Sequence, residues 1–161
     1  MDAITMLSIR SLINDLRDDY PQFNFELSDE FLWSTQKQTI FINPEMEQSH
    51  EYTLHELSHA LLHHKGYERD IELLKLERDA WDHAKIRIAP HYDIVIDNAT
   101  IQNNLDTYRD WLHARSTCPE CQVNGIQTKQ QLYTCISCHH LWRVNEARVC
   151  ALRRYSLSSI K

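Results

Sequence analysis

The chain has 161 residues and a formal net charge of −6; a quarter of its residues are charged, and only two are glycine and four proline. Such a composition excludes a disordered, collagen-like or low-complexity chain and suits one modest core with a small appendage. No run of about 18 apolar residues occurs, and the opening MDAITMLSIR carries an acid at position 2, so neither a membrane span nor a signal peptide is expected and a cytoplasmic location is. Charge is divided unevenly: residues 1–112 carry 10 Lys+Arg against 21 Asp+Glu, a net −11, and residues 113–161 carry 7 against 2, a net +5. The acidic part is a poor partner for nucleic acid or an anionic membrane. The basic part is either a solvated face or a phosphate contact.

In chain order, Ile4, Leu7, Ile9, Leu12, Ile13 and Leu16 recur at helical spacing, and Pro21 should end that helix. Phe23, Phe25 and Leu27 alternate with polar residues and Thr39–Ile42 is β-rich, so two or three short strands are expected, closed by Asn43-Pro44. A polar loop then leads to a helix that Ser49 or Thr53 could cap. Within it, TLHELSHALLHH holds His55, Glu56 and His59 as an HExxH motif. Residues four apart on a helix lie one turn above each other, so the two imidazoles aim at one point with Glu56 beside them. Zinc takes neutral imidazole nitrogens, and an adjacent carboxylate can take a proton from an attacking water. His63 is expected to pack or to support the ligands, His64 and His50 to lie on the surface, and Lys65-Gly66 to stop the helix with a left-handed glycine.

A second helix is expected over residues 69–88. On its wheel Leu73, Leu74, Ala80, Trp81, Ala84 and Ile88 cluster around Glu77, which places an acid at the centre of the apolar stripe. A carboxylate there wants a cation, and the available one is a metal on the preceding helix. Asp79 is the competing third ligand, although it sits opposite the stripe. Beyond Pro90, residues 93–97 read as a short strand and residues 100–114 as a third helix. His83, His91 and Tyr92 are the candidates to stabilise an oxyanion.

The strand ending in Asn43, the HExxH helix with its leucine pair and histidine, and the later Glu77-x-x-Ala80 helix closing in Ile88 and Pro90 together resemble the ImmA/IrrE family of zinc metallopeptidases. The similarity spans about residues 35–90. It implies His55, His59 and Glu77 as ligands of a catalytic zinc and Glu56 as general base. It also implies a protein substrate such as a DNA-binding repressor, in phage or mobile-element regulation. Trp81 departs from the small polar residue usual at its place, and Arg87 interrupts an apolar pair, which bears on substrate preference.

From residue 117 the chain reads TCPECQVNGIQTKQQLYTCISCHHLWRV. Cys118 and Cys121 form one CxxC pair, Cys135 and Cys138 another, with an Asn-Gly turn and β-alternation between them, the pattern of a structural tetrathiolate zinc site. Cys135–His139 also reads as a haem-attachment CxxCH, but the partnering CPEC and the lack of an export signal speak for zinc. His139 or His140 could replace a thiolate, though four cysteines already complete a site. Cys150 is left over as a buried apolar thiol, and residues 145–157 read as a helix presenting Arg148, Arg153 and Arg154. The module resembles a zinc ribbon, which by analogy grips nucleic acid, protein or nothing. A ribbon after an HExxH domain is also similar to the SprT/Spartan arrangement of DNA-associated proteases; these take a third histidine soon after the motif helix, and residues 65–82 offer none suitable.

The expectation is thus an α+β protein. A small zincin-like metallopeptidase domain of helices on a short sheet covers residues 1–112, a zinc ribbon 113–145 and a basic helical tail 146–161. Its function would be zinc-dependent endopeptidase activity on a protein substrate held by edge pairing near Ile40–Ile42, with nucleic acid reached, if at all, through the C-terminal region. The rival is a non-catalytic DNA- or protein-binding regulator.

Overall fold

The computed structural model describes residues 3–146, 148 and 151–157, with side chains from Ile9 onward. The fold is α+β, with four α-helices and two small sheets. The chain divides into two compact units. The first takes the chain up to Lys65 together with Leu76–Ile101, and the second takes Gly66–Lys75 and the chain from Gln102.

In the first unit, α1 (Ala3–Asp19) is followed by β1 (Asn24–Leu27), β2 (Leu32–Ser34) and β3 (Thr39–Ile42). β3 is the central strand, parallel to β1 and antiparallel to β2. Its Thr39, Ile40 and Ile42 are buried, as befits a strand flanked on both sides. The expected docking of a substrate along Ile40–Ile42 is therefore corrected: the backbone groups of β3 are spent on its two neighbours, and β1 and β2 are the edges.

The HExxH helix α2 (Ser49–Leu61) packs Leu54, Leu57 and Ala60 into the core. Gln48 is its N-cap, without a side-chain bond. Ser49 and Thr53 both lie inside the helix, and the Thr53 hydroxyl donates back to the Ser49 carbonyl (2.7 Å). α3 (Asp70–His83) supplies its later residues to this unit and runs into a π-turn (Ala84–Ile88) and a 3-10 turn (Ala89–Tyr92). Pro90 lacks the N–H needed to continue an α-ladder, and just before it the Ala89 N–H reaches back to the Ala84 carbonyl. The strand expected over 93–97 does not form: Asp93 turns left-handed (φ 53°) and residues 94–97 join no sheet.

The second unit holds the first residues of α3, most of α4 (Asn98–Ser116) and the antiparallel strands β4 (Ile126–Lys129), β5 (Leu132–Thr134), β6 (Leu141–Val144) and β7 (Arg154–Leu157) in the order β4-β5-β6-β7. β7 replaces the expected helical tail. All four of its residues are exposed, so pairing with β6, from Leu141↔Leu157 to Val144↔Arg154, drives it rather than burial of a helical stripe. Cys150 lies outside the described residues.

A buried polar network ties the start of α3 into this unit. The Asp70 carboxylate accepts from Arg115 Nε (2.6 Å) and the Tyr133 hydroxyl (2.5 Å), while the Asp70 N–H donates to Gln127 Oε1 (2.7 Å). Arg115 also donates to the Asn145 carbonyl, and Trp142 Nε1 to the Arg115 carbonyl (3.0 Å). Burial, and then the bond to Asp70, drive the Tyr133 pKa far upward, so it stays a donor. A buried ion pair survives when its remaining polar atoms are satisfied, which this network does for Asp70.

The Asn124-Gly125 dipeptide is not the hairpin turn. Asn124 bridges to Thr117, and the β4–β5 turn falls at Gln130-Gln131, with Gln131 left-handed (φ 59°). Gly125 is instead required by close approach, because a Cβ there would meet the Thr134 carbonyl oxygen and the Trp142 ring, each at 2.4 Å. Gly125→Ala is accordingly expected to destabilise the second unit by about 1–3 kcal/mol as an overpacking change. A thermal or denaturant unfolding curve checks it, and an unchanged midpoint would contradict it.

Candidate metal centres

Two groups of side chains converge among the described residues, His55 with His59 and Glu77, and the four cysteines 118, 121, 135 and 138. In the first, α2 stacks its two imidazoles one turn apart while α3 brings the carboxylate. His55 Nε2 lies 3.0 Å from Glu77 Oε2, His59 Nε2 lies 3.5 Å from the same oxygen, and the two Nε2 atoms are 3.1 Å apart. Ligands about 2.05 Å from a tetrahedral zinc stand about 3.3 Å from one another, so the triangle fits one zinc ion. Both His55 and Glu77 are buried. Electron-rich atoms this close need shared protons or a cation between them.

Asp79 is not part of this group; it pairs with Arg78 (2.8 Å). Trp81, one turn after Glu77, stacks on the His55 ring (centroids 4.2 Å, 23°) and is itself braced edge-on by Tyr52. Trp81, one of the two departures from the resemblance, is thus the ring against which His55 lies. Among the described residues the buried His55 Nδ1 has no hydrogen-bond partner.

Burial opposes charge on Glu77, but its bonds to His55 and His59 outweigh that and hold its carboxyl well below the usual range. Burial likewise opposes protonation of His59, and the Glu77 bond with the charges of Glu56 and Glu77 more than offsets it, so the His59 pKa is raised.

Glu56 points from α2 to the edge strand, where Oε2 accepts the backbone N–H of Trp33 (2.8 Å). Nothing local to residue 33 or residue 56 signals that contact, and two histidine expectations are also corrected. His63 is exposed and takes the left-handed position expected of Gly66 (φ 55°), whereas His64 lies against His59, Nδ1 to Nδ1 at 2.8 Å. Burial, and then its neighbour His59, lower the His64 pKa. His50 is half-buried rather than on the surface. Beside this group a cavity of 620 Å³ is lined by Phe23, Trp33, Ala60, Leu61 and His64 together with Gln22, Thr35, Gln38, His63 and Lys65.

Of the oxyanion candidates, Tyr92 donates its hydroxyl to Asp19 (2.6 Å), His83 Nδ1 meets Ser58 Oγ (3.2 Å) and His91 is exposed. None is brought to the His55–His59–Glu77 group.

In the second group Cys118 Sγ lies 3.7 Å from Cys138 Sγ, and Cys121 Sγ 3.4 Å from Cys135 Sγ. Thiolates 2.3 Å from a tetrahedral zinc stand about 3.8 Å apart, so this donor set fits a closed structural site. The two knuckles share one construction. The first cysteine of each donates its N–H to the carbonyl five residues on, Cys118 to Val123 (3.0 Å) and Cys135 to His140 (2.8 Å). The residue after the second cysteine is left-handed in both, Gln122 (φ 65°) and His139 (φ 60°). His139 therefore shapes the turn. Backbone N–H groups of Cys138 and Ser137 pull the Cys135 thiol down to about 6, which favours the thiolate a metal needs.

No protein-family model matches the chain, and no curated protein or solved structure matches it significantly.

Two zinc ions per chain are expected by elemental analysis, His55→Ala removing one and Cys118→Ser the other; a single ion that survives His55→Ala would contradict the first centre. A pH effect is also expected when that centre is free of metal. Glu77, held down, stabilises above its ordinary 4.5 and loses this as pH falls; His59, raised, stabilises below its ordinary 6.5 and loses this as pH rises. The Tm gap between wild type and Glu77→Gln should therefore be widest between those two values. A gap that is flat with pH would contradict the assignment.

Proposed function

We propose that the chain is a zinc-dependent endopeptidase, similar in plan to the ImmA/IrrE metallopeptidases. The observation that carries this reading is Glu56, an acid with no place in the ligand triangle, fixed beside it by the Trp33 N–H. A purely structural centre has no use for such an acid.

Zinc held by His55, His59 and Glu77 would supply Lewis-acid polarisation of the attacked carbonyl and of water. Glu56 accepts a proton from water as the water oxygen bonds to the peptide carbon, then returns it to the leaving nitrogen as the C–N bond breaks. One of its oxygens accepts from Trp33, and the other has no hydrogen-bond partner among the described residues. The edge strand β2, apart from the Trp33 N–H already held by Glu56, lies open to an extended peptide, and the cavity walled by Phe23, Trp33 and Leu61 would receive a neighbouring side chain. The cysteine module adds a metal-braced sheet whose exposed Lys129, Arg143 and Arg153 would meet a substrate or its nucleic acid. A DNA-binding repressor is the substrate class the resemblance suggests. No described helix is long and apolar enough to cross a membrane.

Glu56→Gln is the decisive variant. It should retain both zinc ions and the fold while lowering turnover of a cleavable protein or peptide by at least about 100-fold, the lower end of general acid–base contributions. Equal activity of the variant and wild type would refute the proposal, and turnover that resists chelation would do the same.

A further inference from the structure

We propose that His64 is a positioning residue for the His55–His59–Glu77 centre: it accepts the Nδ1–H of His59 and so fixes the tautomer and aim of the imidazole that offers Nε2 to the metal. The inference rests on the metal-centre part of the proposed function and not on turnover.

The way α2 ends brings the two rings together. Leu61 is the last helical residue, Leu62 the cap, and His63 follows with φ 55°. The His63 N–H then donates to the Ala60 carbonyl (3.1 Å) and the His64 N–H to the His59 carbonyl (3.0 Å). This pair of bonds is the Schellman motif, which lays the second residue past the cap over the third from the helix end, commonly through an apolar contact. Here those two residues are His64 and His59, and the apolar contact is replaced by two imidazoles, ring centroids 5.0 Å apart at 67°.

The direction of the bond follows from proton counting. A contact of 2.8 Å between two Nδ1 atoms holds one proton, since two lone pairs or two N–H groups would repel. His59 Nε2 faces His55 and Glu77, so it is the ligating atom and must be unprotonated. A neutral ring then carries its proton on Nδ1 and donates it, which leaves His64 Nδ1 as the acceptor. His64 is not itself a ligand, because its Nδ1 meets the side of the His59 ring opposite the ligating atom. The two ligands are thus held by different means. His55 is clamped by the Trp81 ring with its own Nδ1 unpartnered among the described residues, while His59 is held by a hydrogen bond. Outer partners of this kind typically contribute 10–100-fold to metal affinity.

The test uses the full chain and reads zinc affinity of this centre by competition with a chromogenic chelator, with the Cys118–Cys138 zinc and the far-UV spectrum as controls of folding. His64→Asn keeps an acceptor close to the place of Nδ1 and should bind zinc within a few-fold of wild type. His64→Phe keeps a ring but no acceptor and should lose 10–100-fold, with a changed visible spectrum when cobalt replaces zinc; His64→Leu stands in should the Phe variant fail to fold. His63→Gly preserves the turn and should leave affinity unchanged. Wild-type affinity in His64→Phe, a loss in His64→Asn as deep as in His64→Phe, or the same loss in His63→Gly would each overturn the proposal. Because the readout is metal affinity, failure to cleave any peptide would fail the peptidase reading alone.

Discussion

The carboxylate of Glu77, buried among the apolar side chains of α3 and within 3.5 Å of two imidazole nitrogens, constrains the first unit more than any other group. An unpaired carboxylate in that place would cost several kcal/mol, far more than the leucine a helix stripe would otherwise carry. The cost is tolerable only if α2 presents both histidines to it, which requires their four-residue spacing and a close approach of the two helices. The same face of α3 then carries Trp81 one turn further on, so the helix that delivers the third ligand also delivers the plate against which the first is held. Ligand, plate and helix register thus follow from one buried charge.

Much of this was legible because it repeats at helical spacing. The HExxH pair and the position of Glu77 at the centre of an apolar stripe are local patterns, and both CxxC pairs are local too. What escaped the sequence depends on backbone states or on long-range pairing. His63, Gln122, Gln131 and His139 all occupy left-handed conformations that a glycine would signal, but each carries a side chain and so gives no sign. The strain, about 1–2 kcal/mol for each, is carried by helix-end and knuckle hydrogen bonds that exist only in the folded chain. A helix that ran on to Gly66 would turn His64 away from His59, whereas the left-handed residue His63 lays it against that ring. Strand order was equally hidden: nothing local in Thr39–Ile42 says that a parallel partner lies on one side and an antiparallel one on the other. Residues 154–157 illustrate the reverse case, where a segment without buried side chains becomes a strand because β6 has a free edge.

The second unit solves a different problem. Among the described residues its cysteine cluster is small: Tyr133, Trp142 and Val144 packed with Cys118 and Cys135, with Leu152 against them. So few buried side chains supply little folding free energy, which is why a tetrathiolate site and a satisfied ion-pair network replace bulk apolar area. Tyr133 belongs to both devices: its ring stacks against Trp142 in the cysteine core (5.6 Å, 15°) and its hydroxyl holds Asp70. Asp70 is also the first residue of α3, where a negative charge favours the helix.

The bond between Trp33 and Glu56 bears on what the first centre can do with a peptide. A free strand edge attracts any extended chain, and β2 is such an edge. Its Trp33 N–H, however, is already given to the acid, and the residues on either side of Trp33 face β3. Any chain laid beside Trp33 therefore meets a donor already spent, whatever its register. On the proposed reading, the strand that fixes the acid is also the one beside which a substrate backbone would lie.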